Sequence, residues 1–262
     1  MPLRRPLPRL FGALALVATL AAPAAGPAVA QQPGGLSDAE RTEIETLVRD
    51  YILNNPEIIL EAVNRLQARQ EAEEQARRQA ALAQNADKLY ADPRAPTHGP
   101  GDASITLVEF FDYQCGYCKQ ILPDMVKLAE SREDLKIVFK EFPILGPMSE
   151  VAARAALAAE RQGAYFAYHR AVMGMRGQLT EQKLYDEAAA LGLDVERLKA
   201  DMGDPDIAAY LESNRQLAQQ IGVTGTPALI VGDALIPGAI SYERMVQLIE
   251  AEEARREAEK DG

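Results

Sequence analysis

The sequence predicts an α/β domain with a large helical insertion, preceded by an N-terminal helical arm. Three observations carry that reading. Ile105 to Phe111 (ITLVEFF) is a short run of β-branched and aromatic residues, apolar on both faces, as in a strand buried within a sheet. It passes through a polar turn, Asp112-Tyr113-Gln114, into Cys115-Gly116-Tyr117-Cys118 and a helical pattern of Ile121, Leu122, Met125, Val126 and Leu128. Far along the chain, Ala228 to Val231 and Ala234 to Ile236 flank Gly232-Asp233, the signature of a hairpin turn.

In chain order, residues 1–30 have the features of an export signal. Arg4, Arg5 and Arg9 make a basic start, and Leu10 to Ala22 an apolar stretch too short to span a bilayer. Ala28-Val29-Ala30 is a small-x-small cleavage pattern, so cleavage is expected after Ala30 and the protein is expected in the periplasm. Cleavage removes three positive charges from a chain whose net charge is already −11. That acidity argues against nucleic acid or an anionic membrane as a partner.

Residues 31–92 are expected to form the arm. Ser37 and Glu40 make a capping box, and Ile44, Leu47, Val48, Tyr51 and Ile52 lie on one helical stripe. Asn54-Asn55-Pro56 breaks the helix, with Pro56 placed to start the next. Ile59, Val63 and Leu66 continue the stripe before the chain turns to Ala, Arg, Gln and Glu. Helices this poor in large apolar residues bury little by themselves. The stripe is therefore expected either to dock on the main domain or to pack against copies of itself.

Residues 93–262 are expected to form the main domain. Ala91 to Gly101 is Pro- and Gly-rich and is read as a loop, with His98 solvated in it. Lys136 to Phe142 is a second strand. Helical segments then fill the insertion, about 144–222, with His169 expected as a packed or surface residue. The hairpin follows, and a last helix starts near Ser241 and frays into a charged tail.

The chemistry lies in Cys115 and Cys118, which are the only cysteines. A cysteine at the start of a helix meets unpaired N–H groups and the positive end of the dipole, both of which favour the thiolate. Cys115 is thus expected to be the more exposed and attacking thiol. Cys118, one turn further in, is placed to resolve the mixed disulfide. No metal is expected, because the remaining soft ligands, His98 and His169, lack ligand spacing. Covalent haem is disfavoured by Lys119 where a histidine is needed. Glu109 stands in an apolar strand, where a carboxylate is costly unless paired or protonated. It is either an edge residue reaching water or a working group, with Lys136 and Lys140 as candidate partners.

FDYQCGYCK, with TGTPALIVGD about a hundred residues later, resembles the DsbA-like branch of the thioredoxin superfamily from about Pro96 onward. The resemblance implies a thioredoxin-like fold and thiol–disulfide exchange with no cofactor beyond a redox-active Cys115–Cys118 disulfide. It implies that Pro227 is cis and faces the sulfurs, and that the Thr226 backbone meets the substrate. Gly116 and Tyr117 would adjoin the substrate and set the redox poise. Glu109 would lie behind Cys118 and take and return its proton. Partners so implied are exported cysteine-containing proteins and a membrane partner that resets the dithiol. The arm, SDAERTEIETLVRDYILNNPEIILEAV, resembles that of ScsC-like members, where it mediates oligomerisation; this implies a homo-oligomer, with a trimer favoured. Gly-Tyr between the cysteines and Thr before the proline are more similar to exported disulfide isomerases than to strong oxidases. A monomeric oxidase, and a non-catalytic holdase or copper-handling role, are the other readings open to this sequence.

Overall fold

A computed structural model describes residues 35–260. The proposed signal segment and its cleavage site lie outside the described residues. The chain divides into two compact units, which part between Val63 and Asn64.

The first unit holds α1 (Asp38–Asn54) and the start of α2 (Glu57–Gln84). The capping box forms: Glu40 N–H donates to Ser37 Oγ at 3.3 Å and Ser37 N–H to Glu40 Oε2 at 2.8 Å. Asn55 closes α1 by donating its amide to the Tyr51 and Ile52 carbonyls. No residue of α1 is buried, and Ile44, Leu47, Val48 and Tyr51 are all between 45% and 67% exposed.

The second unit takes in the remainder of α2, whose Leu82 is buried, and a short α3 (Ala86–Tyr90), whose Leu89 is wholly buried. Then come β1 (Thr97–His98), β2 (Ile105–Phe111), α4 (Gly116–Ser131) and β3 (Leu135–Glu141). Five helices fill the insertion: α5 (Pro147–Glu160), α6 (Tyr165–Gly174), α7 (Glu181–Ala190), α8 (Val195–Met202) and α9 (Pro205–Ile221). The hairpin β4 (Ala228–Val231) and β5 (Ala234–Pro237) and a final α10 (Tyr242–Lys260) complete it.

The sheet order is β1-β3-β2-β4-β5. β2 and β3 run parallel, and β4 lies antiparallel to β2. The period-two alternation of strands splits the core. Leu107, Phe111, Ile137, Phe139, Leu229 and Val231 face one side, where they pack with α4, the insertion helices and α10. Val108, Phe110, Val138, Ala228 and Ile230 face the other, against Leu82, Leu89 and the end of α9.

Two expectations are corrected. Thr97–His98 is a strand paired antiparallel with β3, and the His98 ring stacks on Phe166 at 3.8 Å. Two residues are too few to show a period, so the Pro- and Gly-rich composition misled. The last helix continues to Lys260 without fraying early, held by Arg255 and Arg256 on Glu252 and by Arg255 on Glu259. Glu252 also explains Gly232: a side chain there would collide with the Glu252 carboxylate.

Candidate active site

The site is built where β2 ends. Cys115 is the N-cap of α4, in extended conformation, so its side chain faces the free amides of the first turn. Its Sγ accepts the Cys118 N–H at 3.4 Å, and its thiol donates to the Thr226 carbonyl at 3.2 Å. The Thr226-Pro227 bond is cis. The sequence-derived residues Cys115, Cys118 and Thr226 thus meet at one sulfur, across 111 residues of chain. Both cysteines are free thiols and both are buried, Cys115 5% and Cys118 1% exposed. Gly116 is exposed, and Tyr117 stands 66% exposed beside them.

Asp112 fixes the turn that presents Cys115. Its carbonyl accepts the Cys115 N–H at 3.0 Å. Its carboxylate accepts the amides of Gln114, Ile144 and Leu145 and the Ser149 hydroxyl, all within 2.9 Å. Gln114 donates to the same Ser149 hydroxyl at 2.8 Å. The turn is therefore bound to the segment leading into α5. Ile144 and Leu145 remain exposed there as large apolar side chains.

Glu109 is buried on the α4 face of the sheet, with Leu107 and Phe111. Burial pushes its carboxyl from 4.5 up to about 8. Cys118 is pushed well above the ordinary thiol range, by burial first and by the Glu109 carboxylate second. Burial thus favours the protonated form of both groups, and a Glu109 carboxylate further disfavours the Cys118 thiolate. The lysines proposed as partners of Glu109 are excluded by register. Phe139 lies opposite Glu109, whereas Lys136 and Lys140 lie opposite Thr106 and Phe110 and point to the other face. Lys136 donates there to the Tyr90 carbonyl. Lys140 is wholly buried, its ammonium 5.7 Å from the Tyr210 ring, and burial pulls it down to about 8.

Several site residues escaped sequence reasoning. Lys119, next to Cys118, donates to the carbonyls of Met173 and Met175 at 3.2 and 2.9 Å, and so joins α4 to the end of α6. Behind the turn, Tyr113, Glu141, Tyr165 and His169 form a buried polar cluster. A charged residue ending an apolar strand, as Glu141 does, was the one available signal. Among the described residues, no group of three or more His, Cys, Asp or Glu is placed to hold a metal ion.

Residues 106–250 match the DSBA-like thioredoxin domain. The chain belongs to that family. Residues 40–73 match the N-terminal domain of the copper resistance protein ScsC. A thioredoxin-like oxidoreductase from Silicibacter pomeroyi is 40% identical and superposes with a TM-score of 0.62, covering 65% of this chain and 97% of its own. A linker-deleted variant of Proteus mirabilis ScsC is 30% identical with a TM-score of 0.65, covering 86% of this chain and all of its own. Among curated relatives, a Na(+)/H(+) antiporter NhaA from Herminiimonas arsenicoxydans is 33% identical over 154 residues, 58% of this chain. The chain spans about a quarter of that relative's length.

Proposed function

We propose that the protein is an exported thiol–disulfide oxidoreductase that reduces and reshuffles disulfides of other exported proteins, working as a disulfide isomerase. The observation that carries this reading is the Cys115 sulfur, held between the Cys118 amide and the Thr226 carbonyl. An N–H at the sulfur stabilises a thiolate, and the Thr226 carbonyl, which loses its donor when the Cys115 thiol ionises, then offers an extended substrate a backbone partner.

In the forward direction the Cys115 thiolate attacks one sulfur of a substrate disulfide. The substrate S–S bond breaks, a Cys115–substrate disulfide forms, and one substrate thiolate leaves. Cys118 then gives its proton to Glu109 in its ionised, carboxylate form and attacks Cys115 Sγ. The mixed disulfide breaks, the second substrate thiolate leaves, and Cys115–Cys118 closes. Two electrons have passed to the substrate. If a substrate thiol resolves the mixed disulfide instead, the substrate is isomerised and the dithiol is unchanged. A membrane partner would return an oxidised pair to the dithiol.

The arm supports the isomerase reading over a monomeric oxidase. Its stripe is exposed along α1 and the start of α2, including Leu47, Val48, Tyr51, Ile59 and Val63. At ~25 cal/mol per Å² of apolar surface, self-association of such a stripe gains several kcal/mol per subunit. Residues 40–73 match the ScsC N-terminal domain, and it is the resemblance of the arm to that of ScsC-like members that implies a homo-oligomer, with a trimer favoured. Insulin reduction tests the chemistry: wild type should precipitate the insulin B chain and Cys115→Ser should not. Light scattering tests the assembly: a monomer at micromolar concentration would remove the support for isomerase over oxidase.

A further inference from the structure

Tyr113, two residues before Cys115, is wholly buried, and its hydroxyl sits 3.1 Å from Glu141 Oε1 and 3.1 Å from His169 Nδ1. Glu141 Oε1 also accepts the Tyr165 hydroxyl at 2.8 Å, while Oε2 has no partner. The Glu141 backbone carbonyl is held by Asn214 Nδ2 at 3.1 Å. Around these groups the core is aromatic: the His169 ring lies 4.7 Å from Phe111 and 4.8 Å from Phe139. Four buried polar side chains are a costly way to fill such a space, since apolar residues of similar shape would serve packing as well or better. What a polar cluster adds is orientation.

One assignment of hydrogens satisfies the chain. His169 Nδ1–H donates to the Tyr113 oxygen, and the Tyr113 O–H donates to Glu141. His169 is neutral for this, burial having lowered it to about 3. Burial raises the Glu141 carboxyl well above its ordinary range, with the Asp112 and Glu109 carboxylates adding to the rise. Only two hydroxyls reach this buried carboxyl, both at Oε1, too few donors to hold it as an anion. The grip is therefore one of neutral groups.

We propose that Glu141 and His169 are positioning residues for the exchange reaction: by gripping the Tyr113 hydroxyl they fix the turn that carries Cys115, and so set the balance between dithiol and disulfide. The inference rests on the exchange reading above. The turn matters to one side of the balance. In the dithiol, Cys115 Sγ is an acceptor for Cys118 N–H, at a distance of 3.4 Å that the turn must maintain. In the disulfide that sulfur is bonded to Cys118 and no thiolate needs the amide. Loosening the turn therefore weakens the dithiol more than the disulfide.

The test is equilibration of the full mature chain with glutathione, where dithiol plus oxidised glutathione gives disulfide plus two reduced glutathiones. Tyr113→Phe removes one oxygen, and should raise the equilibrium constant for disulfide formation about two- to tenfold, the range of one net hydrogen bond. Glu141→Leu should act in the same direction, and Glu141→Gln, which keeps a neutral acceptor at Oε1, should recover most of the change. Circular dichroism checks that each variant is folded. Folded Tyr113→Phe and Glu141→Leu proteins with the wild-type constant would overturn the proposal, as would equal shifts for Glu141→Leu and Glu141→Gln. A wild-type dithiol that never equilibrates with glutathione would instead overturn the exchange reading, and the proposal with it.

Discussion

α1 and α4 carry the same kind of apolar stripe and meet opposite fates. In α4, Cys118, Ile121, Met125 and Leu128 are all buried against the sheet. In α1 no residue is buried, although Ile44, Leu47, Val48 and Tyr51 likewise fall on one helical face. Helical periodicity identifies a face that wants cover and says nothing of what covers it. For α4 the cover lies in the same chain. For α1 we attribute it to further copies of the chain, and that attribution separates a scaffold that presents a dithiol from an arm that gathers several of them.

The sharpest way to break the comparison is truncation on both sides. Leu128→Ala should cost the catalytic unit about 2–5 kcal/mol, as a fully buried leucine does, read from urea unfolding. Leu47→Ala should leave that unit's unfolding within about 0.5 kcal/mol, as an exposed position does, while lowering the mass seen by light scattering. Equal effects on unfolding would mean that the α1 stripe is covered within the chain after all.

Glu109 provides a second contrast, since a buried carboxyl has no counterpart among the described residues of the first unit. Its folded midpoint is about 8 against 4.5 ordinarily, so between those values the unfolded chain has lost a proton the folded one retains. Stability from this group is thus fully present below about pH 4.5 and is lost as pH rises toward 8, at up to about 1.4 kcal/mol per pH unit. Glu109→Gln should flatten that slope in urea titrations, and should slow mixed-disulfide resolution near neutral pH. An unchanged slope would mean that Glu109 reaches water and titrates ordinarily.

The smallest expected effect is at the end of the arm. Ser37→Ala removes the Oγ that accepts Glu40 N–H, and should cost α1 about 1 kcal/mol, seen as a modest loss of helical signal with no change in insulin reduction.

Local pattern carried much of this structure. The buried strand, the dithiol at a helix start, the hairpin and the capping box were all legible, because each is written in neighbouring residues. What was not legible depends on register or on distance along the chain. Lys140 was a reasonable partner for Glu109 by sequence, until pairing with β3 placed Phe139 opposite Glu109 and turned Lys140 to the other face. Tyr113 and His169 are 56 residues apart and meet only once α6 has packed behind β2. The two-residue strand at Thr97 and His98 has no period to read, and exists because β3 offers it an edge.

The central claim is that Cys115 attacks and Cys118 resolves, and one trapping experiment addresses it most directly. The Cys118→Ser protein, mixed with a peptide containing one disulfide, should accumulate a covalent adduct that mass spectrometry of proteolytic fragments places on Cys115. Wild type should show no adduct and should end with Cys115 bonded to Cys118. An adduct on neither protein, with the peptide disulfide intact, would contradict the account.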